Sequence, residues 1–387
     1  MLSIPSLAAG LGFLGLIGGV QAGYNPSASN NIAVYWGQNS AAAPDVNIIN
    51  LSFLTGLYRP AMNFANAGNN CTAIAGSDLM RCPQIEADII ECQQTYGKTI
   101  LLSMAGATYT EGGFPSEAAA VAAANNFWSL FGPIQSGSTA TRPFGNAVVD
   151  GFDFDFESTV NNALSFTRQL RQLTNSAGGK KFYLSTAPQC VYPDAADQTF
   201  LQGQVAMDLI QIQFYNNWCG VANFPTGWNF ATWDNWAKTV SANPNVKILL
   251  GVPASPGAAN AGSWPSSSQL SSAFSDAKTY SSFGGAMLWD MSQLYQNLDF
   301  LKQIVSLVGG GGASPSPQPP SSTPAPSPTT PPPSTAPTTP PVSSPTGGNG
   351  AGLPQWAQCG GMGYTGPTQC AAPYKCVTSS VWWSSCQ

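Results

Sequence analysis

Eight short apolar runs, separated by longer stretches of mixed pattern, govern what this chain can fold into. They are Ile32–Trp36, Val46–Phe53, Thr99–Met104, Ala147–Phe156, Phe182–Ala187, Leu209–Tyr215, Val246–Val252 and Gly284–Trp289. Several are almost continuous in hydrophobic residues, as strands buried on both faces of a parallel sheet must be. Segments such as Asn161–Asn175 and Ala195–Met207 supply intervening helices. Eight strand–helix units in about 300 residues predict an α/β fold, a (β/α)8 TIM barrel. The rival is an open doubly wound sheet, but the glycine-rich phosphate loop typical of that fold is missing.

The chain of 387 residues has room for one large domain and a small one. The barrel is expected over 23–308. Residues 309–350 are almost only Pro, Ser, Thr, Gly and Ala. Such a segment buries no core and is expected to be an extended, disordered linker. At about 3.1 Å per residue its reach is on the order of 100 Å. Dense Ser and Thr beside Pro suit O-glycosylation. Residues 1–22 read as a secretory signal, with an apolar run from Leu7 to Val20 and a small-residue cleavage site at Val20-Gln21-Ala22. The segment before that run carries no Lys or Arg, a departure from the usual pattern. A membrane anchor is the alternative, but the run is short and glycine-rich. The mature protein is expected to be soluble, monomeric and secreted, extracellular or in a cell wall.

Only 8% of residues are charged, the net charge is −5, and there is no histidine. An acidic chain of this kind excludes nucleic acid and anionic membrane surfaces as partners and leaves neutral polymers. Without histidine, Ser-His-Asp and Cys-His catalysis and most zinc sites are excluded. Acid–base work falls to Asp, Glu, Tyr or Lys. No metal or organic cofactor is implied.

The strongest chemical signal is Asp150-Gly151-Phe152-Asp153-Phe154-Asp155-Phe156-Glu157. Its strict alternation is the period of a β-strand. Phe152, Phe154 and Phe156 share one face; Asp153, Asp155 and Glu157 share the other. Three carboxylates along one face of a buried strand are costly, because like charges in low dielectric oppose ionisation. Coupled carboxylates of this kind can hold the last one protonated near neutral pH, which suits a general acid. A solvated edge strand is the bland alternative, but it does not call for a ladder of Phe behind the acids. In a barrel of this type, chemistry sits at the C-terminal ends of strands. Other runs end in polar or aromatic residues there: Tyr35-Trp36-Gly37-Gln38, Ser103-Met104-Ala105-Gly106, Gln211 to Asn217 with Gln211, Gln213 and Tyr215 on one face, and Met287-Leu288-Trp289-Asp290. Aromatic faces beside amides suit a sugar ring.

The run from Asp150 to Glu157 resembles the DGxDxDxE signature of glycoside hydrolase family 18, the chitinases, at every fixed position, and the resemblance extends over most of 30–306. The QFYNN run at 213–217 and Trp289 resemble its plant-type, or class III, branch. The resemblance implies that Glu157 protonates the glycosidic oxygen. It also implies that Asp155 orients the substrate's 2-acetamido group, that Asp153 shares the proton of Asp155, and that Tyr215 donates to the acetamido oxygen. Gln213, Asn216, Tyr35 and Gly106 would contact substrate, with Trp289 flooring the cleaved sugar's subsite. Ala105 stands where the family's SxGG motif has glycine, and its methyl would crowd a subsite. Family 18 is an exception to the two-carboxylate rule and uses the substrate's own N-acetyl oxygen as nucleophile. About 30 residues separate the last two strands, too few for the cleft-walling insertion of bacterial-type relatives. That implies an open groove and endo cleavage.

Five cysteines lie in the barrel, an odd number that leaves one thiol over. The resemblance pairs Cys71 with Cys82 and Cys190 with Cys219, leaving Cys92 free and buried. Asn70-Cys71-Thr72 is a glycosylation sequon on a loop; Asn50-Leu51-Ser52 is a second, placed in a strand and expected to stay bare. Residues 351–387 are too few for a core without disulfides. Their four cysteines allow three pairings. The run from Gln358 to Cys370 resembles the family 1 carbohydrate-binding module of fungi. That implies Cys359–Cys376 and Cys370–Cys386, and a flat face of Trp356, Trp382 and Trp383 for stacking on chitin or cellulose. Two further readings share the barrel: an enzyme cleaving the chitobiose core of N-glycans, and a catalytically inert chitin-binding lectin.

Overall fold

The computed structural model describes residues 23–37, 46–309, 352–353, 358–360, 367–380 and 383–386. The segment expected to be a signal and nearly all of the expected linker lie outside these residues. The chain divides into two compact units, Met1–Pro319 and Pro320–Gln387.

The first unit is built on eight parallel strands: β1 (Asn31–Trp36), β2 (Ile48–Gly56), β3 (Thr99–Ala105), β4 (Gly151–Asp155), β5 (Tyr183–Thr186), β6 (Leu209–Gln213), β7 (Lys247–Pro253) and β8 (Phe283–Trp289). Each neighbours the next in sequence, and β1 pairs with both β2 and β8, so the sheet closes into a barrel. All eight apolar runs are strands. Their residues face apolar layers on both sides, which is why hydrophobicity runs on without alternation. The inner layer holds Ala33, Tyr35, Ile48, Leu101, Leu209, Leu249 and Met287. The outer layer, against the helices, includes Phe152, Phe154 and Phe156. The alternation in β4 thus separates an outward Phe ladder from inward carboxylates.

Among the described residues, eight α-helices pack outside or follow the barrel: α1 (Pro83–Gln94), α2 (Glu117–Phe131), α3 (Ala163–Ser176), α4 (Gln198–Leu201), α5 (Phe230–Thr239), α6 (Ser267–Ala277), α7 (Met291–Tyr295) and α8 (Leu298–Val308). Ser116 caps α2 by accepting from the Ala119 amide, and Ser266 with Gln269 forms a capping box on α6. The helix expected over Ala195–Met207 shrinks to the four residues of α4. Asp194 takes the Ala196 and Asp197 amides into a side-chain turn instead of a helix. At the start of β4, a Cβ on Gly151 would lie 1.9 Å from the Tyr183 carbonyl oxygen, so strand pairing there requires glycine.

Disulfides join Cys71 to Cys82 and Cys190 to Cys219. Cys92 is free, but half-buried on α1 rather than fully buried. Asn70 is exposed, and Asn50 is fully buried with its amide donating to Gln211. Among the described residues, no helix is long and apolar enough to cross a membrane.

The second unit contains a three-stranded antiparallel sheet in the order Gln358–Gly360, Trp383–Cys386, Cys376–Ser380. Disulfides Cys359–Cys376 and Cys370–Cys386 fasten it. Trp356 and Trp382 lie outside the described residues, and Trp383 opens the last strand.

Candidate active site

The sequence-predicted carboxylates gather at the C-terminal end of β4. Asp153 is fully buried inside the barrel, flanked in register by Ser103 on β3 and Ser185 on β5. Its Oδ2 accepts from the Tyr35 hydroxyl at 2.9 Å and the Ser103 hydroxyl at 2.7 Å. Its Oδ1 accepts from the Ser185 hydroxyl and from Gln211 Nε2 at 3.0 Å. Gln211 is in turn held by Asn50, whose Nδ2 donates to Gln211 Oε1 at 2.8 Å. Burial pushes the Asp153 carboxyl up, and these four donors oppose it.

Asp155, one step higher and 3% exposed, has a single side-chain donor among the described residues, Gln213 Nε2 at 3.1 Å. Burial, then the charges of Glu157 and Asp153, raise it well above the carboxylate range. Four donors favour the charged form at Asp153, whereas burial among acids favours the neutral form at Asp155. These surroundings favour a proton on Asp155 over one on Asp153. Glu157 lies two residues past the end of β4, exposed at the barrel mouth. Partial desolvation and the charge of Asp194 push its carboxyl up, the direction a general acid needs. Tyr215 is buried; burial first, then Asp155, Glu157 and Asp290, hold its hydroxyl protonated well above its ordinary range. It is a hydrogen-bond donor beside the acids.

Trp289, half-buried at the end of β8, packs on Phe53 at 6.0 Å and Tyr35 at 5.5 Å between ring centroids. Gln213 donates to both Asp155 and the Ala187 carbonyl.

Three expectations are corrected, those for Tyr35, Gly106 and Ala105. Tyr35 does not line a groove: it is 2% exposed and holds Asp153 from below. Gly106 is buried against the Phe53 ring, and its amide donates to the Asp155 carbonyl. Asn216 is exposed, and its side-chain oxygen accepts from the Asn260 amide and the Ser263 hydroxyl. Ala105 has φ +76° and is fully buried in the outer apolar layer, so its methyl leaves the mouth clear and the cost of replacing glycine is backbone strain.

Sequence reasoning missed Ser103, Ser185 and Asn50 as partners of the network, and Phe53 beneath Trp289. For the polar partners, the available signal was polar residues set inside otherwise apolar strands. It also missed Asp194 and Asp197, buried in the loop after β5. Among the described residues, the one cluster with metal-ligand spacing is Cys359, Cys370 and Cys386. All three are in disulfides and offer no thiolate.

Residues 31–269 match the family described as Glycosyl hydrolases family 18, and 355–383 match the Fungal cellulose binding domain. Endochitinase 33 of Trichoderma harzianum is 52% identical over 323 residues, covering 78% of this chain and 99% of its own. A class III chitinase of Arthroderma benhamiae is 47% identical over 317 residues, covering 78% and 94%. Two solved structures share the fold. ICChI chitinase from Ipomoea carnea has TM-score 0.59 at 27% identity, covering 72% of this chain and 100% of its own. A xylanase and α-amylase inhibitor protein from Scadoxus multiflorus has TM-score 0.57 at 28% identity, covering 74% and 100%.

Proposed function

The chain belongs to glycosyl hydrolase family 18, and we propose that its barrel is an endochitinase. It hydrolyses β-1,4 linkages between N-acetylglucosamine units with retention, the substrate's own N-acetyl oxygen acting as nucleophile. The observation that carries this reading is the setting of Asp155, buried between Asp153 and Glu157 on one strand face, where burial and its acidic neighbours push its carboxyl up. A buried, protonated carboxyl is a poor nucleophile toward an anomeric carbon. It is well suited to bond an acetamido group and to pass charge to Asp153 beneath it.

With a sugar over Trp289, Tyr215 donates to the acetamido oxygen and fixes it below the anomeric carbon. That oxygen attacks the carbon as Glu157 gives its proton to the glycosidic oxygen, and the C–O bond breaks. Asp155 stabilises the positive oxazolinium ring while Asp153 takes up part of its proton. Glu157, now a carboxylate, removes a proton from water. The water attacks the anomeric carbon, reopens the ring and restores the acid. No protein–sugar bond forms, so a chain without N-acetyl groups is not cleaved.

The likeness to an inhibitor protein means that the barrel alone does not establish turnover, and Glu157, Asp155 and Tyr215 are what favour the enzyme over an inert lectin. We assign 1–22 to a secretory signal and 309–350 to a spacer. The module at 351–387 would hold the enzyme on insoluble chitin or cellulose.

The test is hydrolysis of an N-acetylglucosamine hexamer by wild type and Glu157→Gln, with products and anomers resolved. Internal cleavage to β-anomers, reduced at least about 100-fold in the variant, supports the reading. Binding without turnover by the wild type would leave the lectin.

A further inference from the structure

Asp197 is fully buried, yet the mechanism above gives it no task. It stands at the N-cap position of α4, where an aspartate ordinarily accepts from helix amides, but its side chain makes no such bond. Its Oδ1 lies instead 2.7 Å from the Thr186 hydroxyl at the end of β5. The same hydroxyl lies 3.0 Å from the Phe154 carbonyl of β4.

Thr186 has one proton and two oxygens at bonding distance. The Phe154 carbonyl, which also accepts from the Ala187 amide at 3.0 Å, can only accept, so a Thr186 proton given to it leaves none for Asp197. The contact with Asp197 then needs a proton of its own, and only the carboxyl can carry it. If Thr186 gave its proton to Asp197 instead, its lone pairs would face those of the Phe154 oxygen at 3.0 Å. A second observation agrees: Asp197 Oδ2 is buried with no hydrogen-bond partner. A bare carboxylate oxygen in an apolar site is far more costly than the carbonyl oxygen of a neutral acid. The surroundings are apolar: Phe200 of α4 packs on Phe154 at 5.1 Å and on Phe156 at 5.5 Å. The titratable groups that face Asp197 are all acidic. They are Asp194 in its own loop, Asp153 and Asp155 on β4, and Glu157 just beyond. Among the described residues, no salt bridge includes Asp197.

We propose that Asp197 is a neutral carboxylic acid in the working protein and a positioning residue for the reaction. It donates to Thr186, which donates to Phe154, and so fastens the loop after β5 to the strand that carries the catalytic carboxylates. The protonated state also spares Glu157 another negative neighbour. The kinetic part of this inference rests on the chitinase reading; the protonation state does not.

The experiment is ¹³C NMR of protein labelled at the aspartate carboxyl carbon, titrated from pH 5 to 8, in wild type, Asp155→Asn and Asp197→Asn. A carboxyl carbon that stays protonated across this range should persist in Asp155→Asn and vanish in Asp197→Asn. Should Asp197→Asn fail to fold, the signal left in Asp155→Asn decides alone, and its absence overturns the proposal. In kinetics, the Asn amide can replace the lost donor to Thr186. Asp197→Asn should therefore keep the alkaline limb of kcat/KM, whereas removing an ionised neighbour of Glu157 would lower that limb by about one unit. Asp197→Ala should lower kcat about tenfold with KM little changed, the equivalent of one hydrogen bond. A lowered limb in the Asn variant, or equal loss in both variants, would count against a protonated Asp197.

Discussion

Replacing Tyr35 with Phe tests the carboxylate ladder at its base. The ring stays, with its contacts to Phe53 and Trp289, and only the hydroxyl that donates to Asp153 at 2.9 Å is lost. Asp153 keeps three donors: Ser103, Ser185 and Gln211. A hydrogen bond to a charged group contributes about 1.5–3 kcal/mol. At about 1.4 kcal/mol per unit, the Asp153 carboxyl should rise by roughly one to two units. Asp153 receives the second proton of the Asp153–Asp155 pair on acidification, so it sets the acid limb of the activity profile. That limb should move to higher pH by the same one to two units, while the alkaline limb, set by Glu157, stays in place. The assay is kcat/KM against pH on a soluble chito-oligosaccharide, with thermal unfolding measured alongside. An acid limb that moves by less than about 0.3 unit in a fully folded variant would refute the assignment of Asp153 as the ionised member.

Two further outcomes follow from the geometry. The folded-state carboxyl of Asp155 titrates above its unfolded value, so its contribution to stability is complete below about pH 3.9 and is lost as pH rises through the folded value. Asp155→Asn should therefore gain in unfolding temperature relative to wild type as pH increases from 5 to 9, and a constant difference across that range would contradict the sign. Gly151→Ala places a methyl 1.9 Å from the Tyr183 carbonyl and must part β4 from β5. A loss of at least about 3 kcal/mol, or roughly 6 °C or more in unfolding temperature, is expected in a thermal melt, and a change under about 2 °C would mean the strands yield cheaply.

The barrel was legible because each strand is wrapped in apolar layers and so leaves an uninterrupted apolar run in the sequence. The ladder at 153–157 was legible because its two faces have opposite chemistry at period 2. What failed was local. The helix expected over 195–207 gives way to a turn, because the carboxyls of Asp194 and Asp197 turn inward to amides and to Thr186. No periodicity announces such turns. Tyr35 stands at a strand end, where sequence position suits a groove, yet hydrogen-bond demand draws it beneath Asp153. Ser103 and Ser185 matter only because parallel pairing in register sets β3 and β5 on either side of β4, level with Asp153.

The two bonds made by Gln213 have a consequence for what the mouth of the barrel can recognise. The Ala187 carbonyl only accepts, so it fixes which end of the Gln213 amide is nitrogen, and Asp155 takes the other proton. The side chain is left with an oxygen to offer. It discriminates by polarity: a ligand group that brings a hydrogen, an N–H or an O–H, is welcome there, and one that brings only a lone pair is repelled.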